Sequence, residues 1–301
     1  MALTMAEMAG NSNAITRRYL DSLRIETRYM NSTFPDTEMT LYGKKIKTPV
    51  MTAALSHLDH FMFEGATAQY AEGAAKAGAV LWLGMADEPE VERCASAGTD
   101  MIEIIKPYAD RELIFEKIRH AEKLGLLAVG VDIDHPFGPD GSADFVDDFE
   151  MAPLTTEELK QICSCTPLPV IVKGVLSVYD ARQAAEAGAG GIVVSHHNNR
   201  IEYALPPLMA LPEIRKYLPD EMPVFVDGDI RSGLDVFKAL ALGANAVCIG
   251  RPLMTAVKKG GADAVSEYLK QVNDELKKAM AFTGCIDLAH MDPTVIHHAA
   301  F

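Results

Sequence analysis

The sequence predicts a single-domain α/β fold, a (β/α)8 TIM barrel. The first observation is a series of eight short runs of β-branched and other apolar residues, separated by stretches rich in Ala, Glu, Leu and Lys. Continuous apolar runs of this length are typical of parallel strands that are covered on both faces. The second observation is that many of the intervening stretches end in glycine, which marks a helix C-terminus. Eight strand-then-helix units indicate the barrel.

The predicted elements follow one another along the chain. The strands lie at residues 49–54, 79–84, 101–106, 127–132, 169–174, 191–195, 223–228 and 246–251, and the clearest helices at residues 111–124, 178–187 and 233–242. We expect residues 1–48 to form an N-terminal helical extension that packs on a barrel of residues 49–301. A doubly wound open sheet is the less favoured alternative, and it would also bind ligands at the carboxyl ends of its strands.

The composition excludes several classes of partner. The formal net charge of -14 gives a surface that repels nucleic acid and anionic lipid. A small anionic ligand would need a locally positive pocket. No stretch is apolar over the length of a membrane span, and the N-terminus lacks the pattern of a secretory signal. We therefore expect a cytoplasmic protein with neither a membrane nor a nucleic-acid partner.

The five cysteines are an odd number and show neither a CxxC motif nor a paired His/Cys spacing. We interpret them as reduced thiols and expect no metal site.

Several predicted strands end in a polar residue that the apolar run before it does not explain. These residues are Lys106, Asp132, Lys173, Ser195, Asp227 and Arg251. The carboxyl ends of the strands form the mouth of a barrel, where ligands bind. We therefore expect these side chains to converge on one site.

The last two units contain a candidate phosphate site. Asp227, Gly228, Asp229 and Arg231 follow the seventh predicted strand, and Gly250 and Arg251 follow the eighth. Barrels often bind phosphate with these two loops, where backbone N-H groups and a helix N-terminus meet the anion. The alternative interpretation is a tight turn and a surface cation.

Lys173 and the loop after the sixth strand carry the candidate chemistry. An ammonium at a buried strand end needs an anion, a carbonyl carbon or a carboxylate, and an internal salt bridge is the alternative interpretation. A neutral His197 can take a proton from a hydroxyl group, and the fork of Arg200 can hold a carboxylate. Asp132 could stabilise the resulting imidazolium.

The segments at residues 172–176, 194–200, 227–233 and 250–252 closely resemble the FMN-dependent α-hydroxy acid oxidases and dehydrogenases. The resemblance runs from about residue 24 to residue 285. It implies an FMN cofactor and oxidation of a small 2-hydroxy acid, such as lactate or glycolate, to the 2-oxo acid. It also implies a homo-oligomer of four or more subunits.

The resemblance also assigns residues. It implies that His197 is the base, that Asp132 pairs with it, and that Arg200 anchors the substrate carboxylate. Lys173 would stabilise the reduced flavin. The remaining residues implied to contact the cofactor are Ala53, Ala54, Ser195, Asp227, Gly228, Arg231, Gly250 and Arg251, with the backbone of Asp229.

Other positions depart from the family pattern. Lys106 stands where a substrate-binding tyrosine is usual, so it is either a second cation for the substrate or a surface lysine that covers the mouth. His196, Asn198 and Asp229 replace an asparagine and two glycines. The side chain of Asp229 would repel a phosphate unless it turned outward.

Three other functions remain open. One is another FMN barrel enzyme, similar to type 2 isopentenyl diphosphate isomerase. Another is a lyase that uses Lys173 as a Schiff-base nucleophile. The last is a barrel that binds flavin without turnover.

Overall fold

The computed structural model describes residues 9–299 and has eight parallel strands in one sheet. In chain order, β1 to β8 are Val50–Thr52, Leu81–Leu83, Met101–Ile105, Ala128–Asp132, Val170–Val175, Gly191–Val194, Val224–Val226 and Ala246–Ile249. The sheet runs in the order β1, β8, β7, β6, β5, β4, β3, β2. A parallel bridge between Leu55 and Leu83 brings its two ends together. The nearly closed barrel confirms the predicted fold and excludes the doubly wound sheet, whose strand order would reverse.

Helices fill the connections. In chain order, α1 to α10 are Ser12–Ser22, Leu58–Phe61, Ala66–Ala77, Glu88–Ala95, Arg111–Leu124, Thr156–Ser164, Val178–Glu186, Pro207–Arg215, Gly233–Ala241 and Arg251–Thr283. The last of these has a kink, because Gly260 and Gly261 leave helical geometry. Gly78 ends α3 in the left-handed conformation that glycine adopts without strain. None of the helices within residues 9–299 combines the length and the apolar character needed to cross a bilayer.

Alternation along the strands divides the core into two layers. On β3, Ile102 and Ile104 pack inside the barrel, whereas Met101 and Ile105 join the layer between barrel and helices. This is the period of two that a strand imposes on its side chains. The strands are therefore largely apolar on both faces, with the buried Glu103 of β3 as an exception, and most of their polar groups lie at the carboxyl ends.

The described part of the N-terminal extension contacts both ends of the barrel. At the amino ends of the strands, a hairpin of Met39–Leu41 and Lys44–Ile46 places Leu41 and Ile46 in the interior layer. We call this hairpin the floor. Leu23–Ile25 pairs antiparallel with Ile296–His298, near the other end of the chain. Helix α1 packs against the loops at the carboxyl ends.

Candidate active site

A cavity of about 420 Å³ opens at the carboxyl ends of the strands. The predicted site residues that line it are Ala53, Ala54, Lys106, Lys173, His197, Asp227, Gly228, Asp229, Gly250 and Arg251. Asp132 and Ser195 are buried behind it, where the Ser195 hydroxyl accepts a hydrogen bond from the His197 backbone N-H at 3.0 Å. Arg200 and Arg231 do not line the cavity. The predicted convergence therefore holds for most of the residues.

Two buried lysines share one carboxylate at the bottom of this cavity. Lys106 Nζ lies 2.7 Å from one oxygen of Asp132, and Lys173 Nζ lies 2.9 Å from the other. Burial opposes ionisation of Asp132, but the two ammonium groups hold its pKa well below the ordinary value. Burial likewise opposes the charge of Lys173, yet Asp132 and the neighbouring Asp134 raise its pKa above the ordinary value. Asp132 and Lys173 are therefore both ionised at neutral pH.

Lys106 is thus a buried residue and not a surface lysine. Its side chain is 7% exposed, and it reaches the cavity directly from the end of β3. The interpretation of Lys106 as a surface residue was wrong because an acceptor, Asp132, lies on the neighbouring strand β4.

His197 has a different carboxylate partner from the one expected. Its Nδ1 lies 2.7 Å from Asp134 Oδ1 and 3.7 Å from Asp132 Oδ1. Burial acts to raise the pKa of Asp134, but the neighbouring His197 lowers it overall. Gly174 makes room for this carboxylate, since its φ is +94° and an added Cβ would lie 2.2 Å from Asp134 Cγ. Asp134 was not among the predicted site residues, although an acid two residues beyond a strand-end Asp is a recognisable signal.

Asp132, Asp134 and His197 place three possible metal ligands within 4.8 Å of one another. Lys173 Nζ lies 2.9 Å from Asp132 Oδ1 and 3.3 Å from His197 Nδ1. The Lys173 ammonium therefore supplies the positive charge that a bound metal ion would otherwise provide to these three groups.

The connection after β4 lies beside the mouth and carries a short hairpin, Phe145–Val146 and Phe149–Glu150. Arg200 is bound to the carboxylate of Asp144 and to the Phe137 carbonyl of this connection. His135 Nδ1 lies 2.9 Å from the same Asp144, and its ring packs edge-on against His197. Burial, together with neighbouring cations, lowers the pKa of His135 to about 4. His135 is therefore neutral at pH 7.

A cluster of arginines surrounds Asp229 at the edge of the cavity, and Arg251 of this cluster lines the cavity itself. Arg231 and Arg251 both reach the Asp229 carboxylate, and Arg251 also donates to the Asn13 side chain at 3.0 Å. Arg17 forms a two-pronged ion pair with Asp235. Asn13 and Arg17 belong to α1 and were missed, because nothing in their local sequence indicates a contact with residues more than 200 positions away.

The donor set of this cavity fits FMN. Small side chains, Ala53 and Ala54, line one wall, where a flat ring system needs space. Lys173 places a positive charge at the bottom of the cavity, and Arg251 places another at the opposite end. Gly228, with φ of +103°, brings the backbone of the loop after β7 to the cavity. A flavin ring and a phosphate would each meet groups of suitable chemistry.

Known proteins resemble this chain over most of its length. Glycolate oxidase 1 of Zea mays is 33% identical over 85% of this chain and 79% of its own length. Glycolate oxidase of Spinacia oleracea is 33% identical over 93% of this chain and 85% of its own length. A crystal structure of mandelate oxidase with (S)-2-phenylpropionate superposes with a TM-score of 0.85 at 31% identity, covering 96% of this chain and 91% of that one.

The sequence pattern of the FMN-dependent dehydrogenases matches residues 3–153 and 138–298. A mandelate oxidase variant solved with a C4a-OH-FMN adduct superposes with a TM-score of 0.87 at 30% identity, over 98% of this chain and 94% of that one. These findings confirm the predicted family, the FMN cofactor and the assignment as an oxidoreductase. The chain belongs to the FMN-dependent dehydrogenase family of α-hydroxy acid oxidases.

Proposed function

We propose that this protein oxidises a small 2-hydroxy acid to the 2-oxo acid, with His197 as the base. The observation that carries the proposal is the His197–Asp134 pair, which lies at the cavity within 3.3 Å of Lys173. A histidine paired with a carboxylate is suited to take a proton, because the carboxylate stabilises the imidazolium that results. The relatives named as glycolate oxidases support the same class of substrate.

The hydrogen bonds of His197 determine which ring nitrogen acts. Both Asp134 and Lys173 lie near Nδ1, but the carboxylate is closer, at 2.7 Å against 3.3 Å. Because Lys173 is protonated and Asp132 accepts from it, Nδ1 keeps its own proton and donates it to Asp134. In the neutral imidazole, Nε2 is then the nitrogen that carries no proton. We assign the proton transfer from substrate to Nε2.

Asp132 has a separate task in this proposal. It neutralises part of the charge of Lys106 and Lys173 and fixes both ammonium groups at the cavity. Lys173 supplies a positive charge at the cofactor site, where FMN, when bound, would accept two electrons and the second proton that the substrate loses. Lys106 offers a second cation for the carboxylate of the substrate.

Arg200 remains the proposed carboxylate anchor on the strength of the motif. In the structure its guanidinium is bound to Asp144. Binding of a substrate carboxylate would therefore require exchange of one carboxylate partner for another. Arg200 and Lys106 together provide two cations for a small anion. Lys106 lines the cavity, whereas Arg200 does not.

The state of Lys173 argues against a Schiff-base lyase. A nucleophilic lysine must lose its proton, and lysines that do so have a lowered pKa. Asp132 and Asp134 instead raise the pKa of Lys173. The ammonium is therefore a poor nucleophile in this site.

Anaerobic titration tests the proposed function. The purified protein, loaded with FMN, is mixed without oxygen with lactate, glycolate, mandelate and longer 2-hydroxy acids. We expect at least one of them to bleach the visible flavin absorption and to yield the 2-oxo acid. Bound FMN that no 2-hydroxy acid bleaches would favour an isomerase-like or purely binding role. Absence of FMN binding would contradict the cofactor assignment itself.

Location and assembly remain predictions. The five cysteines are all free, which supports a reducing compartment such as the cytoplasm. The resemblance supports a homo-oligomer, which size-exclusion chromatography with light scattering would test.

A further inference from the structure

The loop after β7 contains a carboxylate where a phosphate-binding loop is expected to offer only donors. The Asp229 side chain turns inward and is 3% exposed. Its Oδ1 lies 2.9 Å from Arg231 Nε, 2.7 Å from an outer nitrogen of Arg231, and 3.5 Å from Arg251. The two arginines expected to hold the phosphate of FMN are therefore already paired with an anion of the chain itself.

The backbone holds Asp229 in this position. Its φ is +56°, in the left-handed region that glycine occupies freely and aspartate only at some cost. Its carbonyl accepts a hydrogen bond from Arg17 at 3.2 Å, so the loop is tied to helix α1. The residue lines the same cavity as Lys173 and His197. The inward carboxylate therefore belongs to the cofactor site and not to the outer surface.

The second oxygen of this carboxylate provides an independent observation. Asp229 Oδ2 is buried and has no hydrogen-bond partner within residues 9–299. A buried carboxylate oxygen without a donor is costly, since it has lost water and gained nothing in return. The Asp229 carboxylate thus has an incomplete set of hydrogen bonds, as expected of a group that another anion can displace.

From this geometry we infer that Asp229 acts as an internal competitor for the phosphate of FMN, and that it lowers the selectivity of the site for FMN over riboflavin. A phosphate at the arginine pair must displace the carboxylate or lie beside it. Either event weakens binding, because like charges at close range repel and Arg231 loses a two-pronged partner. Riboflavin has the same ring and ribityl chain but no phosphate, so it avoids both costs.

Titration of the flavin-free protein with FMN and with riboflavin, followed by flavin fluorescence, tests this inference. Asp229→Asn keeps the size and the tolerance for positive φ but removes the charge. We expect it to bind FMN about tenfold or more tightly than the wild type, a gain of about 1.4 kcal/mol. We expect riboflavin affinity to change by less than about twofold, since no charge on riboflavin meets residue 229.

Two further variants keep the result interpretable. Asp229→Gly removes the carboxylate and relieves the backbone, so it should give the same gain for FMN even if the Asn variant folds poorly. Asp220→Asn makes the same change in net charge at an exposed side chain before β7, and it should alter neither affinity. Thermal unfolding of each variant checks that the fold is intact.

The results that would contradict the inference about Asp229 can be told apart from one another. FMN affinity that is lower in both Asp229 variants, with riboflavin affinity unaltered, would show that the carboxylate organises the arginines for phosphate, and unchanged FMN affinity would show that the carboxylate does not compete with it. Equal losses for both flavins would show a structural role only. Each of these results would overturn the inference. It depends on FMN as the cofactor but not on substrate oxidation, so failure of the bleaching experiment would leave this binding comparison standing.

Discussion

The two ends of the barrel differ in the side chains that they bury: charged groups at the carboxyl ends of the eight strands, and apolar groups at the amino ends. At the carboxyl ends, Lys106 and Lys173 are buried, each within hydrogen-bonding distance of the buried Asp132 carboxylate. At the amino ends, the floor hairpin fills the interior with Leu41 and Ile46, both buried and apolar. Chemistry is therefore concentrated at one end and stability at the other, which is the usual division of labour in this fold. Substitutions at the two ends should have separable effects.

The largest effect is expected at the mouth. His197→Gln removes the proposed base but keeps a polar side chain of similar size. We expect flavin reduction by the best 2-hydroxy acid to slow by about 10²–10⁴-fold, the usual contribution of a general base. FMN affinity and the melting temperature should change little. Rates within a fewfold of the wild type would show that His197 is not the base.

At the floor, Leu41→Ala should act on stability alone. Leu41 is 1% exposed and packs in the interior layer. Its truncation should lower the free energy of unfolding by about 2–5 kcal/mol, the cost of a buried cavity. Urea unfolding measures this loss. The rate of flavin reduction by the folded fraction should remain that of the wild type, and a large decrease would contradict the division between the two ends.

The smallest expected effect distinguishes Asp134 from Asp132 as the carboxylate partner of His197. Asp134→Asn weakens a charge-assisted hydrogen bond to His197, which is worth about 1.5–3 kcal/mol, so flavin reduction should slow by about ten- to a hundredfold. Asp140→Asn, an exposed substitution on the same connection, is the control and should have no effect. Steady-state and single-turnover rates provide the comparison. Equal activity of Asp134→Asn and the control would indicate that Asp132, and not Asp134, is the functional partner of His197.

Local sequence predicts the barrel well because its signals are local. Short apolar runs fix the strands, glycines such as Gly78 end the helices, and polar residues at strand ends mark the mouth. Lys173 and Asp132 were found in this way, since a charge at the end of a buried strand has few alternative explanations. The family resemblance added FMN and the proposed role of His197.

The remaining features depend on contacts between distant segments. The choice of Asp134 over Asp132 as the partner of His197 follows from space that Gly174 leaves on another strand. The pairing of Arg200 with Asp144 depends on the course of a long connection. The inward turn of Asp229 depends on Arg231 and Arg251 together. The spacing of residues along the sequence does not determine the distances between side chains on such distant segments.

The most direct test of the contrast between the two ends is the anaerobic rate of flavin reduction, measured side by side in the wild type, His197→Gln and Leu41→Ala. Each protein is loaded with FMN and mixed with the 2-hydroxy acid that bleaches the wild type fastest. We expect equal rates for the wild type and folded Leu41→Ala, and a rate about 10²–10⁴-fold lower for His197→Gln. Equal rates for all three proteins, or a similar loss in both variants, would contradict this expectation.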